Sequence, residues 1–162
     1  MKIGIGYDIH RLVRHRKLIL GGVNISHSKG LLGHSDADVL MHAICDALLG
    51  AAGLPDIGEY FPNTDKRFKD ISSVKLLEKV SQIIKGKHYT VNNVDAVILA
   101  EKPKISPYKG RMKKNIAKAL KVNADKVNIK ATTMEKTTKA EAISAYAVVL
   151  LLKTNHHCER TK

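Results

Sequence analysis

Residues 143–153 read ISAYAVVLLLK, and positions 147–152 are apolar without a break. In a strand, successive side chains point to opposite faces. Both faces of this strand therefore need cover. One layer of helices covers one face of a sheet. A subunit interface would supply the second layer.

The rest of the chain can be placed by period and punctuation. Residues 2–9 and 17–20 read as strands, with Gly21-Gly22 as a turn after the second. Residues 26–36 read as loop. From Ala37 to Ala52, Leu40, Met41, Ile44, Ala47, Leu48 and Ala51 recur at helical spacing, with Ser35 or Asp36 as the expected cap. Residues 54–71 form a long irregular stretch, the kind of loop that carries function. A helix starts at Ser72 or Ser73 and stops near Gly86. A strand follows at 89–101, a helix after Ser106-Pro107, and an alternating strand at 126–133. The order is β-β-α, loop, α-β-α-β-β. It predicts an α+β domain over residues 1–154, with helices packed on one face of a mixed sheet. The polar tail, residues 155–162, reads as frayed.

Composition narrows the function classes. The chain has 162 residues and a net charge of +13. Such charge suits nucleic acid, an anionic surface or a phosphorylated substrate. The lysines are scattered, however, and aromatic residues for base stacking are scarce, so nucleic acid is not the expected partner. No apolar run is long enough to span a membrane, and the first residues do not read as a signal peptide. Two cysteines, Cys45 and Cys158, imply no disulfide framework, and a cytoplasmic location follows most simply.

The chemistry begins at GYDIH, residues 6–10. On a strand, Ile3, Ile5, Tyr7 and Ile9 share one face, and Gly4, Gly6, Asp8 and His10 share the other. A zinc centre in an enzyme typically takes three protein ligands and keeps one position open. Asp8 and His10 offer two, and His42 on the first helix offers a third. Asp38, His42 and Asp46 recur every four residues, so Asp46 or Asp38 is expected to accept from the free imidazole nitrogen. A surface hydrogen bond between Asp8 and His10 is the plainer alternative. GHSDAD (33–38) places His34, Ser35 and two aspartates where helix N–H groups favour an anion, or where Ser35 or Asp36 simply caps. KATTMEK (130–136) ends a strand with Thr132, Thr133, Glu135 and Lys136, a set that suits phosphate and magnesium, or an ordinary polar strand end.

Taken together, GYDIH, GLLGHSDADVLMHAICDALLGAAGLPDIGEYFPNTD, NVDAVILAEKPKISP and KATTMEK resemble the 2-C-methyl-D-erythritol 2,4-cyclodiphosphate synthase family. The resemblance runs from about residue 1 to residue 136, and the final strand fits as well. It implies a homotrimer whose sheets face the threefold axis, with active sites at subunit interfaces. It implies a lyase of non-mevalonate isoprene biosynthesis that closes a cytidine diphosphate substrate onto its own 2-phosphate and releases CMP. Asp8, His10 and His42 would hold one zinc per site. Glu135 would hold magnesium or manganese across the substrate diphosphate. His34 and Thr133 would stabilise the transition state, and Ser35 would touch a phosphate. Asp56, Ile57 and Gly58, with Phe61 through Asp65, would hold the methylerythritol unit. Ala100, Pro103, Lys104, Ile105, Ala131 and Thr132 would form the neighbouring subunit's cytidine pocket.

One stretch departs from the family. After KATTMEK the family carries a glycine-rich run with a Phe and an Arg. Here Thr137, Thr138, Lys139, Ala140, Glu141 and Ala142 lead directly to Ile143. Lys139 is the one residue placed to replace the missing positive charge. Two other readings compete with an enzyme. A trimer of this fold could bind a phosphorylated ligand without turnover, although the metal set Asp8, His10, His42 and Glu135 is complete. A basic nucleic-acid binder would show a steep salt dependence. His156-His157-Cys158 is expected to hold at most an adventitious ion.

Overall fold

A computed structural model describes residues 1–137 and 141–154 of the chain. Lys139 and the tail residues His156, His157 and Cys158 lie outside the described residues. The strands are β1 (Lys2–Arg14), β2 (Leu18–Leu20), β3 (Val23–Ile25), β4 (Lys29–Leu31), β5 (Tyr89–Leu99), β6 (Val127–Thr132) and β7 (Ala142–Lys153). The helices are α1 (Val39–Ala51), α2 (Ile57–Tyr60), α3 (Ser73–Gly86) and α4 (Lys109–Leu120).

The main sheet has the order β4-β1-β7-β5-β6. Only the β5/β6 pair is parallel, so the sheet is mixed, as the element order predicts. Two features were not read from the sequence. Strand β1 continues to Arg14 and pairs there with β4, in a stretch expected to be loop. β2 and the Gly21-Gly22 turn match the strand and turn expected at 17–22, but β3, which pairs with β2 as a separate hairpin, had no sequence signal; both glycines have positive φ. β3 and β4 are three residues each and carry too little periodicity to register in a sequence.

All the long helices lie on one sheet face. Helix α1 packs on β1 and β7, α3 on β5, and α4 on β6. The inner face of β7 buries Ile143, Ala145, Ala147, Val149 and Leu151. Glycines on β1 set the approach of α1. A Cβ on Gly4 would lie 2.0 Å from the Ala47 carbonyl oxygen, and one on Gly6 would lie 2.0 Å from that of Ala43. Only a residue without a side chain lets helix backbone sit this close to a strand. Asp8 and His10 continue the same face of β1, so they meet α1 one turn earlier, at His42.

The opposite face is apolar and exposed within one chain. Ile3 and Ile5 are 70% and 69% exposed, and Tyr7, Ile9, Tyr146, Val148 and Leu152 are open too. Tyr7 and Tyr146 are register partners, with ring centroids 4.5 Å apart. The run 147–152 thus has one face under α1 and the other on an uncovered patch.

Candidate active site

Three ligand-type atoms converge where β1 meets α1. Asp8 Oδ2 lies 2.9 Å from His42 Nδ1 and 3.0 Å from His10 Nε2. The two imidazole nitrogens are 3.2 Å apart. The three atoms lie within 4.8 Å of one another, a grouping that could hold a metal ion. One carboxylate and two imidazoles suit zinc with an open fourth position.

Electrostatics agree with this geometry. Burial raises the Asp8 pKa, but hydrogen bonds from His10 and His42 outweigh it and hold the carboxylate well below its usual range. Burial lowers that of His42, but the hydrogen bond and charge of Asp8 outweigh it, and the net shift is upward. A site that concentrates this much ligand character in a cleft is a functional candidate.

The free nitrogen of His42 does not meet Asp46 or Asp38, contrary to expectation. It faces two hydroxyls, Ser73 Oγ at 3.0 Å and Ser35 Oγ at 3.2 Å. Asp38 is the N-cap of α1, and its carboxylate accepts from Met41, Gly21 and Gly22 N–H. Burial pushes its pKa up to about 6 against those hydrogen bonds. The cap is therefore Asp38, not Ser35 or Asp36, because the β2–β3 turn brings two further donors to it. Asp46 accepts from Ile57 N–H at 2.8 Å and so ties α2 to α1. Burial, with the charges of Asp56 and Asp8, raises its pKa. The N–H groups of Asp36, Ala37, Asp38 and Met41 already have partners in Ile71, Ser35, Asp36 and Asp38.

The cluster opens into a cavity of about 310 Å³. Asp8, His10, His34, Ser35, His42, Ile57, Gly58 and Phe61 line it, as does Asp46. His34 Nε2 is buried there without a hydrogen-bond partner among the described residues. A buried orphan of this kind is rare and marks a group whose partner is a ligand or water. Asp56 and Asp65 stand outside this lining as the caps of α2 and of the turn at 66–68. Asp65 also pairs with Arg67 at 2.6 Å. Phe61, which lines the cavity, packs edge-on against Phe68, with Lys79 of α3 5.2 Å from the Phe68 ring centre.

A second hollow, about 370 Å³, gathers Ala100, Pro103, Lys104, Ile105, Ala131, Thr132 and Thr133. It shares no lining residue with the first. Beside it, Thr133 Oγ1 donates to Glu135. Glu135 and Lys136 both have positive φ, 50° and 55°. Glu101 supports this turn by accepting from Met134 N–H at 2.8 Å and Lys136 N–H at 3.2 Å. Ser73 and Glu101 had no sequence signal, because each acts on residues more than thirty positions away.

Comparison with known proteins agrees with this geometry. Residues 1–152 match the YgbB family. The chain is 55% identical over 163 residues to the 2-C-methyl-D-erythritol 2,4-cyclodiphosphate synthase of Syntrophotalea carbinolica, covering 99% of both chains. Its fold resembles IspF of Plasmodium falciparum in complex with CDP, at 36% identity and a TM-score of 0.82, over 95% of this chain and 97% of that one. It also resembles the bifunctional IspDF of Campylobacter jejuni, at 38% identity and a TM-score of 0.91. There it covers 95% of this chain and 42% of the bifunctional one. With the metal-ligand cluster and the fold both in place, the chain belongs to the YgbB family of 2-C-methyl-D-erythritol 2,4-cyclodiphosphate synthases.

Proposed function

We propose that the chain converts 4-diphosphocytidyl-2-C-methyl-D-erythritol 2-phosphate to 2-C-methyl-D-erythritol 2,4-cyclodiphosphate and CMP. The observation that carries this reading is the convergence of Asp8, His10 and His42 in a cavity that also holds the orphaned His34 nitrogen. An oxygen of the 2-phosphate attacks the β-phosphorus. The bond from that phosphorus to the CMP oxygen breaks, and CMP leaves. No water is consumed, which makes the enzyme a lyase.

Phosphoryl transfer needs positioning and charge stabilisation more than covalent help. Asp8, His10 and His42 would hold zinc, and Glu135 magnesium or manganese; bound there, the ions supply charge neutralisation and polarise phosphate oxygens. His34, which lines the cavity, would meet the reacting phosphates, and Thr133, whose hydroxyl donates to Glu135 in the free chain, would join it there. Ser35 borders the same phosphate. Ile57, Gly58 and Phe61, which line the cavity, would enclose the methylerythritol unit, with Asp56 and Asp65 flanking it. Ala100, Pro103, Lys104, Ile105, Ala131 and Thr132 form the cytidine pocket, with Lys104 toward phosphate.

The two hollows share no lining residue within one chain. A homotrimer would bring the cytidine pocket of one subunit to the metal cluster of the next. The exposed apolar face of β1 and β7 supplies the surface such a trimer would bury, facing the threefold axis. No helix among the described residues is long and apolar enough to cross a membrane.

Phosphorus NMR with the substrate, zinc and magnesium tests the reading. The expected result is a cyclic diphosphate with equimolar CMP, lost in His42→Ala. Substrate that binds but stays intact would sink it.

A further inference from the structure

We propose that Ser73 and Asp36 are positioning residues that fix the proton of His42 on Nε2 and so aim its Nδ1 at the metal. The inference rests on the reading of Asp8, His10 and His42 as the metal centre. His42 has two ring nitrogens, and only the unprotonated one can ligate. Nδ1 is the atom beside Asp8 Oδ2 and His10 Nε2, at 2.9 and 3.2 Å. Its proton must then sit on Nε2, which lies 3.0 Å from Ser73 Oγ.

Asp36 sets the direction of the chain. Its Oδ1 is hydrogen-bonded to Ser73 Oγ, and its Oδ2 accepts from Ser73 N–H at 3.0 Å. An ionised carboxylate only accepts, so the Ser73 hydroxyl spends its one proton on Asp36. Ser73 Oγ is left with lone pairs alone toward His42. It can accept from Nε2–H and cannot donate to Nε2. Ser35 Oγ, at 3.2 Å, is a hydroxyl free to turn either way, and it already accepts from Ala37 N–H. Ser73 is fully buried, and the backbone around it is tied to the same loop. Asp36 N–H donates to Ile71 O at 3.1 Å, and Asp70 N–H donates to His34 O at 2.9 Å. The start of α3 is thereby coupled to the orientation of an imidazole on α1.

Groups that orient a ligating histidine this way are typically worth about 10- to 100-fold in metal affinity. Zinc affinity by chelator competition is the main readout, with His42→Ala as the reference for loss of the site. Ser73→Ala should weaken zinc about 10- to 100-fold, and Ser73→Thr, which keeps the hydroxyl, should restore it. Asp36→Asn frees the hydroxyl direction and should fall between them. Proton NMR of the zinc-loaded protein supplies a readout that simple loosening would not produce. The wild type should show a slowly exchanging, hydrogen-bonded His42 Nε2–H signal, because Ser73 Oγ lies 3.0 Å from that nitrogen, and Ser73→Ala should lose it. Unchanged zinc affinity and an unchanged Nε2–H signal in Ser73→Ala would overturn the proposal. So would equal loss in Ser73→Ala and Ser73→Thr alongside a lowered melting temperature. If His42→Ala binds zinc as tightly as wild type, the metal-centre reading itself fails and the relay fails with it.

Discussion

At the scale of single residues, Asp8 does two things. It is the shared partner of two imidazoles, and its charge raises the proton affinity of His42. The signs of these shifts predict a pH response. The Asp8 pKa is depressed in the fold, so its pairing contributes stability above the ordinary carboxylate range and loses it as pH falls through the depressed value. That of His42 is raised above 6.5. Its charged form therefore stabilises the metal-free protein fully below 6.5, and this contribution fades as pH rises through the raised value. A metal ion requires the neutral ring and displaces that proton. The gain in melting temperature on adding zinc should thus be larger near pH 8 than near pH 6, by calorimetry with and without chelator. Equal gains at both values would mean that zinc binds elsewhere. His34 carries a separate expectation. His34→Ala should leave zinc affinity near wild type and lower turnover, because His34 lines the cavity but is not one of the three grouped ligand residues.

At the scale of elements, the β1–α1 contact positions the site. Gly4 and Gly6 let the helix backbone touch the strand, and that contact sets the distance from Asp8 to His42. Gly6→Ala would place a Cβ 2.0 Å from the Ala43 carbonyl oxygen, against backbone that cannot give way. The expected loss is about 3 kcal/mol or more in chemical denaturation, with weakened zinc binding in whatever remains folded. Gly53→Ala is the contrast. Nothing lies within 4 Å of a Cβ there, and φ is +71°. Only the left-handed backbone penalty applies, about 1–2 kcal/mol, with zinc affinity unchanged. The turn after β6 makes a third case. Two successive non-glycine residues hold positive φ, and Glu101 accepts N–H groups on both sides of Glu135. Glu101→Ala should raise the magnesium concentration needed for half-maximal turnover without changing zinc affinity. A parallel loss of both would show that the turn and the Asp8, His10 and His42 grouping are not independent.

At the scale of the whole molecule, the apolar face of β1 and β7 stands exposed in the single chain. Ile3, Ile5 and Ile9 stand open on one strand and Val148 and Leu152 on the next. A patch of this kind marks an interaction surface. Ile5→Glu should shift the sedimenting species toward monomer. It should also abolish turnover while leaving zinc binding largely intact, because the metal cluster lies on the other face of β1. A monomer with full activity would separate the site from assembly.

Much of this was legible in residue order. Alternation in GYDIH placed Asp8 and His10 on one face, because the period of a strand is local. Helical spacing placed His42 on α1, and the unbroken run at 147–152 announced a strand that needs two covers. The mixed α+β layout followed from the order of elements. What stayed hidden depended on contacts between distant segments. The short strands β3 and β4 exist because they pair, not because three residues prefer to be extended. Asp38 outcompetes Ser35 and Asp36 as the cap because the Gly21-Gly22 turn delivers two more donors to it. Ser73, not Asp46, meets the free nitrogen of His42 because α3 begins beside that ring, while Asp46 is taken by α2. The sequence by itself determined which side chains could serve as ligands and which strand faces they share, since both are set within a few residues. Only the tertiary structure decided which partner each polar group keeps, because donors and acceptors from remote segments compete for it once the chain has closed.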